Sequence, residues 1–227
     1  MLSLVVVLLL SYVVGSIPGS LWSSKLLYGI DVREHGSGNA GATNTFRVVG
    51  WQAGVVATIV DMGKGAFAAG VLPLWTPFGP HPTFGMATES HVIVALLCGL
   101  AAVVGHMFPI FAKFRGGKGV NTAAGILLAL TPISTLLTML VFVIVLGTTR
   151  YVSLGSILAA AAFPTIVAIR KYAFGADLTM SLLIFGIIVA LAIIVAHQSN
   201  IRRLLAGNEN RVSSFKPAKG MRGRGEI

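Results

Sequence analysis

Residues 1–24 read MLSLVVVLLLSYVVGSIPGSLWSS, and the first charged side chain is Lys25. About 20 mainly apolar residues are enough for a helix to cross roughly 30 Å of hydrocarbon, so this stretch alone predicts a membrane span. A cleavable secretory leader opens on a basic segment and ends at a small-residue cleavage site. With no charge at all, residues 1–24 read as a retained first helix. The rest of the 227-residue chain has the same character: it is 55% hydrophobic and 11% charged, with a mean hydropathy of +0.86. Lipid is the solvent such a composition implies. The length allows about five to seven crossings and leaves little for a domain outside the bilayer. The expected fold is therefore an all-α polytopic transmembrane helical bundle, with residues 1–212 forming one integral membrane domain. The basic tail, 213–227, has little apolar surface to bury and is expected to be disordered.

The uncharged stretches that follow are helix candidates in turn. Residues 28–50 interrupt them with Asp31, Arg33, Glu34, His35 and Arg47 among glycines, and read as a loop ending in a helical turn. A second crossing covers 51–75, with Asp61 and Lys64 three apart on one helix face. Residues 73–85 are a short connection rich in Pro and Gly, and the third crossing runs over 91–112. Residues 120–149 are uncharged but broken at Thr131–Pro132, where proline lacks a donor and clashes in a helix interior. A re-entrant pair of short helices is expected there, followed by crossings over 151–169 and 178–196. That makes seven helical elements.

Orientation follows from Lys and Arg in the short loops, which favour the cytoplasmic side. Lys25, Arg33, Arg47, Lys113, Arg115 and Lys118 fall on one side, and none lies between 65 and 90. The amino terminus is then expected outside. The basic residues from Arg202 to Arg224 put the carboxyl terminus inside, which requires the 120–149 pair to return to the side it left. Arg170 and Lys171 would then face outside, against the charge rule.

A net charge of +10 has two readings. One is topological, as above; the other is a phosphate-bearing substrate held by particular residues. Nucleic acid is not an expected partner, because the basic residues are scattered among membrane loops without a recognisable motif. Cys98 stands alone, so neither a disulfide framework nor a thiolate metal cluster is available, and no metal or cofactor is implied.

Three polar strings carry the chemistry. The first runs from His35 through Ser37, Gly38, Asn39, Gly41, Thr43 and Asn44 to Arg47. Its glycines let backbone N–H groups approach a ligand, and Arg47 adds a fixed positive fork, a combination that suits an oxyanion. Its spacing matches neither a dinucleotide nor a nucleoside-triphosphate loop. The second runs from Gly105 and His106 to Arg115, Gly116, Gly117, Lys118 and Gly119, again placing charges beside mobile backbone donors. The third follows the last helix with His197, Asn200, Arg203 and Glu209. Taken singly, each string also has a structural reading as turn glycines, a helix end or ordinary loop charge. Asp61 and Lys64 lie at membrane depth, where ionisable groups are expensive; there they either serve function, neutralise each other, or leave Lys64 to snorkel.

Together, the runs from Gly36 to Arg47, from Gly105 to Gly119 and from His197 to Glu209 resemble the three signature segments of the bacterial acyl-phosphate:glycerol-3-phosphate acyltransferases. The stretch Asp61-Met62-Gly63-Lys64-Gly65 resembles that family too. The likeness extends in order to about Arg211. Ala40 stands where members often have Pro, and the tail beyond Val212 is outside the match. The resemblance implies acyl transfer from acyl phosphate to the primary hydroxyl of glycerol 3-phosphate at the cytoplasmic face of a bacterial inner membrane. Lysophosphatidic acid and phosphate would be the products. It also implies that no thioester donor is used and that the His-Asp motif of another acyltransferase family is missing; here no His is followed four residues later by Asp.

Two phosphate-bearing substrates need two anion pockets and close alignment, which can supply as much as about 7–11 kcal/mol. Ser37, Arg47 and Lys118 are the expected phosphate ligands, and the 116–119 backbone the donor set for a second phosphate or the carbonyl oxygen. Thr43 and Asn44 would orient, and His197, Asn200 and Glu209 would complete the glycerol phosphate side. Gly38, Asn39, Gly41, Lys64, Arg115 and Arg203 are further candidate substrate contacts. For the base, His106 competes with the donor's own phosphate. If a protein base is required, His106→Gln should abolish turnover. An anion transporter is the alternative reading, although such proteins tend to show repeated halves and a midplane site. No repeat is found here, and the polar strings lie at segment ends.

Overall fold

The structure, a computed structural model, describes residues 1–212 and is all-helical among them. The expectation of a disordered tail at 213–227 lies outside the described residues. The first apolar stretch forms α1, Leu2–Gly15, and α2, Gly19–Tyr28. Pro18, which has no N–H to give, separates them, so the single helix read from the sequence arrives in two pieces. Ser11 within α1 and Ser16 just past its end are accommodated in this apolar stretch because their hydroxyls donate to the carbonyls of Val7 and Tyr12 one turn back. The polar loop that follows carries a 3-10 turn at Val32–Glu34 and a short helix, α3, Ala42–Val48.

Next come α4, Trp51–Gly70, and α5, Ala87–Met107. They are followed by α6, Val120–Leu130, α7, Pro132–Thr149, α8, Val152–Tyr172, and α9, Met180–Ala196. The last helix, α10, Gln198–Leu205, is bent 60° from α9. Among the described residues, five helical segments are long and apolar enough to cross a membrane, or six if the bent pair counts as one. Ten α-helices rather than seven elements result among the described residues, because α2, α3 and α10 are separate.

The break at Pro132 is where the sequence put it, but the two sides are unequal. The 11 residues of α6 span only about 16 Å, whereas the 18 of α7 span about 27 Å, close to a full crossing. Two short helices are thus corrected to one short and one long. Burial explains the difference: α6 packs along α4, while α7 presents Ile133, Leu136, Leu140, Val143 and Ile144 outward. Contact between α4 and α6 is close enough that only glycine fits at two points. A Cβ on Gly125 would lie 1.9 Å from the Met62 carbonyl oxygen, and one on Gly65 2.1 Å from that of Thr122. The main core is shared by α4, α5, α6, α8 and α9 through Ala69, Leu96, Ile126, Phe163, Val167 and Phe185.

Hydrogen bonds between distant segments sort the helix ends into two sets. At one end Ser3 donates to the Gly79 carbonyl, the Ser181 N–H donates to Glu89, and Lys171 donates to the Leu178 carbonyl. At the other, Arg33 donates to the Ala112 carbonyl, Lys118 to Asn200, and the Val212 N–H to the Arg150 carbonyl. Residues 118 and 150 therefore share an end, so α6 and α7 together return the chain to the side it left. Arg170, at the opposite end, donates to Ser134 at 2.7 Å and to Thr131 at 3.4 Å, and so its charge is satisfied inside the protein.

Candidate active site

The three polar strings meet at one end of the bundle. A small apolar core of Val32, Val48, Val49 and Ala53 anchors the first string to the start of α4. Asn44, fully buried, organises the loop above it: its amide N–H groups donate to the carbonyls of Val32 and His35, and its Oδ1 accepts from the Ser37 N–H at 2.9 Å. Gly36 runs at φ +62, and a Cβ there would lie 2.4 Å from Asn44 Oδ1, so glycine is required on both counts. On the opposite face of α3, Thr43 and Arg47 are exposed four residues apart, sharing one side of the helix. Ser37 and Gly38 are exposed beside them, with Asn39 and Gly41 half-buried.

Asp31 accepts from Arg33 at 2.8 Å and pairs with Lys25 at 3.1 Å. The Arg33 hydrogen bonds, opposed by burial, hold its carboxyl well below the usual carboxylate range. Arg33 then reaches the Ala112 carbonyl at 2.9 Å, joining the first string to the second. Asp31 and Arg33 were legible only as loop charges; their closeness in a two-residue spacing was the one available signal.

The second string turns back on its own helix. The Gly116 and Gly117 N–H groups donate to the carbonyls of Met107 and His106, each at 3.2 Å. A Cβ on Gly117 would lie 2.4 Å from His106 Nε2 and 2.9 Å from the Ala40 carbonyl oxygen, which locates the junction of the first two strings. Arg115 is exposed. Gly119 caps α6 without a side-chain hydrogen bond, so the free N–H groups of the first turn open beside Lys118.

Lys118 links the second string to the third by donating to Asn200 Oδ1. Asn200 donates in turn to Glu209 at 2.8 Å, and Arg203 pairs with the same carboxylate at 2.7 Å. Ser153, at the start of α8, donates to it at 3.1 Å, a contact that nothing in the sequence signalled. Burial pushes Glu209 up, but the hydrogen bonds from Asn200, Arg203 and Ser153 outweigh it and hold the group below its ordinary value. Burial and the nearby Arg203 charge draw Lys118 down, against the pull of Glu209. His197 is buried, its Nδ1 2.8 Å from the Ile193 carbonyl oxygen.

Lys64 does not reach the surface of this site. Its side chain is 3% exposed, and Nζ lies 2.8 Å from Asp61 Oδ1, 2.8 Å from the Ile17 carbonyl oxygen and 2.9 Å from His106 Nδ1. Its ammonium is committed to partners within the protein.

A helical bundle with five or six segments able to cross a membrane, and with cationic side chains, glycine-rich backbone and a helix N-terminus gathered at one end, defines a multi-pass membrane protein with a polar site at that end. The glycerol-3-phosphate acyltransferase family model matches residues 5–207. A glycerol-3-phosphate acyltransferase of Salinibacter ruber is 61% identical over the whole of both chains, and one of Chlorobaculum tepidum is 48% identical over 94% of this chain and 98% of its own. The crystal structure of PlsY (YgiH), an integral membrane glycerol 3-phosphate acyltransferase in its glycerol 3-phosphate form, superposes with a TM-score of 0.75. It is 34% identical, over 94% of this chain and 98% of that one. Its lysophosphatidic acid form matches equally well in score and identity. The chain belongs to the glycerol-3-phosphate acyltransferase family.

Proposed function

We propose that this enzyme transfers a fatty acyl group from acyl phosphate to the primary hydroxyl of glycerol 3-phosphate, at the cytoplasmic face of a bacterial inner membrane. The unit responsible is residues 1–212, and the lipid bilayer is the partner that supplies donor and receives product. The hydroxyl oxygen attacks the acyl carbon, the bond from that carbon to the phosphate oxygen breaks, and the hydroxyl proton leaves on the departing phosphate. Lysophosphatidic acid and inorganic phosphate result. Acyl phosphate is already an activated mixed anhydride, so alignment and charge stabilisation are the main tasks left to the protein.

The observation that carries this reading is the link from Lys118 through Asn200 and Glu209 to Arg203, set beside the open N-terminus of α6. It supports one anion pocket formed by Lys118, Asn200, His197 and Arg203, with Glu209 holding them in register. The exposed face of Thr43 and Arg47, with Ser37 and Gly38, supports a second. Asn39, Gly41 and Arg115 border these pockets in sequence. The 116–119 backbone is assigned to the carbonyl oxygen or the second phosphate. Asn44, with its amide committed to three backbone groups, shapes the loop rather than touching substrate.

Purified protein in lipid vesicles is the test. Acyl phosphate and glycerol 3-phosphate should yield lysophosphatidic acid and phosphate in equal amounts, without thioester or metal added. Vesicles that accumulate glycerol 3-phosphate without forming lysophosphatidic acid would instead favour a transporter.

A further inference from the structure

The buried trio Asp61, Lys64 and His106 lies within the bundle, just behind the junction of the first two polar strings. An ammonium has three N–H donors and no acceptor. Lys64 Nζ donates to the Ile17 carbonyl at 2.8 Å, lies 2.9 Å from His106 Nδ1, and forms an ion pair with Asp61 Oδ1 at 2.8 Å. Each partner has a reason to be there. The Ile17 carbonyl is available because Pro18 interrupts the ladder between α1 and α2. Asp61 supplies the counter-charge that makes a buried ammonium tolerable, one helical turn away. Because an ammonium can only donate, its 2.9 Å contact with His106 Nδ1 requires that nitrogen to present its lone pair. The Asp61 to His106 separation, 3.4 Å, is longer than any of the three.

We propose that Asp61 and Lys64 are positioning residues of the reaction, fixing His106 as the Nε2–H tautomer with its protonated nitrogen turned toward Gly117 and the Ala40 carbonyl. The same residue's backbone carbonyl holds the Gly117 N–H, so the ion pair, the ring and the phosphate-binding turn form one rigid unit. In this state neither ring nitrogen is a free base: Nδ1 accepts from Lys64, and Nε2 carries a proton. His106 therefore acts as a donor or support at the junction, and the proton of the attacking hydroxyl goes to the departing phosphate. This inference rests on the acyl-transfer reading above.

Full-length protein with 15N-labelled histidine gives the direct measurement, the His106 signals being assigned by their loss in His106→Gln. At neutral pH the wild-type ring is expected to show an unprotonated Nδ1 and a protonated Nε2. An Nδ1–H ring would overturn the proposal. The double variant Asp61→Leu/Lys64→Met removes both charges at once and keeps apolar volume, so it avoids leaving one buried charge unpaired. It is expected to mix the two tautomers and to lower kcat at least about tenfold while KM for glycerol 3-phosphate changes less than about threefold. Unchanged kcat would sink it. Should that pair fail to fold, Lys64→Arg, which keeps a charged donor, is expected to retain more turnover than Lys64→Met, and the reverse order counts against the proposal. Wild-type turnover from acyl phosphate is measured alongside: its absence defeats the functional reading, whereas the histidine spectrum judges the ring independently.

Discussion

Glu209 ties together four groups from three segments: Asn200, Arg203, Ser153 and, through Asn200, Lys118. Its side chain is 6% exposed, so losing the charge leaves those donors facing a weaker acceptor. Because its folded value is depressed, the stability it contributes is fully present above the ordinary glutamate value, about 4.3, and is lost as pH falls through the lower folded value. Glu209→Gln should therefore melt below wild type at pH 7, and the gap should narrow at pH below about 4; a gap that stays constant with pH would count against the carboxylate as its source. Lys118→Ala and Arg47→Ala would remove the proposed charge-assisted contacts to phosphate and should each lower acyl transfer more than about tenfold, with near-normal rates refuting the pockets as drawn. The sequence identified Lys118, Asn200 and Glu209 by type and order, because charged and amide side chains beside glycines advertise a polar site. It could not show Ser153 or the Lys64 to His106 contact. Those partners come from separate helices, and no spacing rule connects residues that only tertiary packing brings together.

Among the elements, the pairing of α4 with α6 carries the site, since α6 begins at the glycine turn proposed to bind phosphate and α4 bears Asp61 and Lys64. Helices in lipid gain no hydrophobic drive from meeting one another, so close backbone approach at small residues must do the work. Gly125→Leu should force the helices apart and destabilise the fold by about 1–3 kcal/mol or more, read as aggregation in detergent and an earlier thermal transition. Gly147→Ala on α7, where a Cβ meets nothing within 4 Å, should leave both unchanged and serves as the control. Equal tolerance of the two substitutions would mean the α4–α6 contact is looser than its geometry. Pro18 and Pro132 both mark helix breaks, yet only the one at Pro132 was read as such. Pro18 escaped because the apolar run around it continues without a charge, and hydropathy registers solvent preference rather than ladder continuity. The lengths of the two helices around Pro132 were hidden for a related reason: an uncharged run does not reveal which part is covered by protein and which by lipid.

For the molecule as a whole, sidedness is the property on which the proposed chemistry depends, and the structure reduces it to one binary choice. The site end carries Lys25, Arg33, Arg47, Lys113, Arg115, Lys118, Arg150, Arg202, Arg203 and Arg211, while the opposite end has Arg170 and Lys171. Both of the latter are satisfied internally, by Ser134 with Thr131 and by the Leu178 carbonyl, so they weigh little against the charge rule that turns the basic end to the cytoplasm. Single cysteines at exposed positions test the choice, in a Cys98→Ala background that removes the native buried thiol. Thr76→Cys and Asp177→Cys should react with a membrane-impermeant maleimide on intact cells. Ser37→Cys and Asn208→Cys should react only once the membrane is opened. Labelling of Ser37→Cys from outside would separate the first string from a cytoplasmic supply of glycerol 3-phosphate. If Asn208→Cys then stayed protected, the meeting of the three strings at one end would fail with it, because residue 37 lies in the first string and residue 208 beside Glu209 in the third.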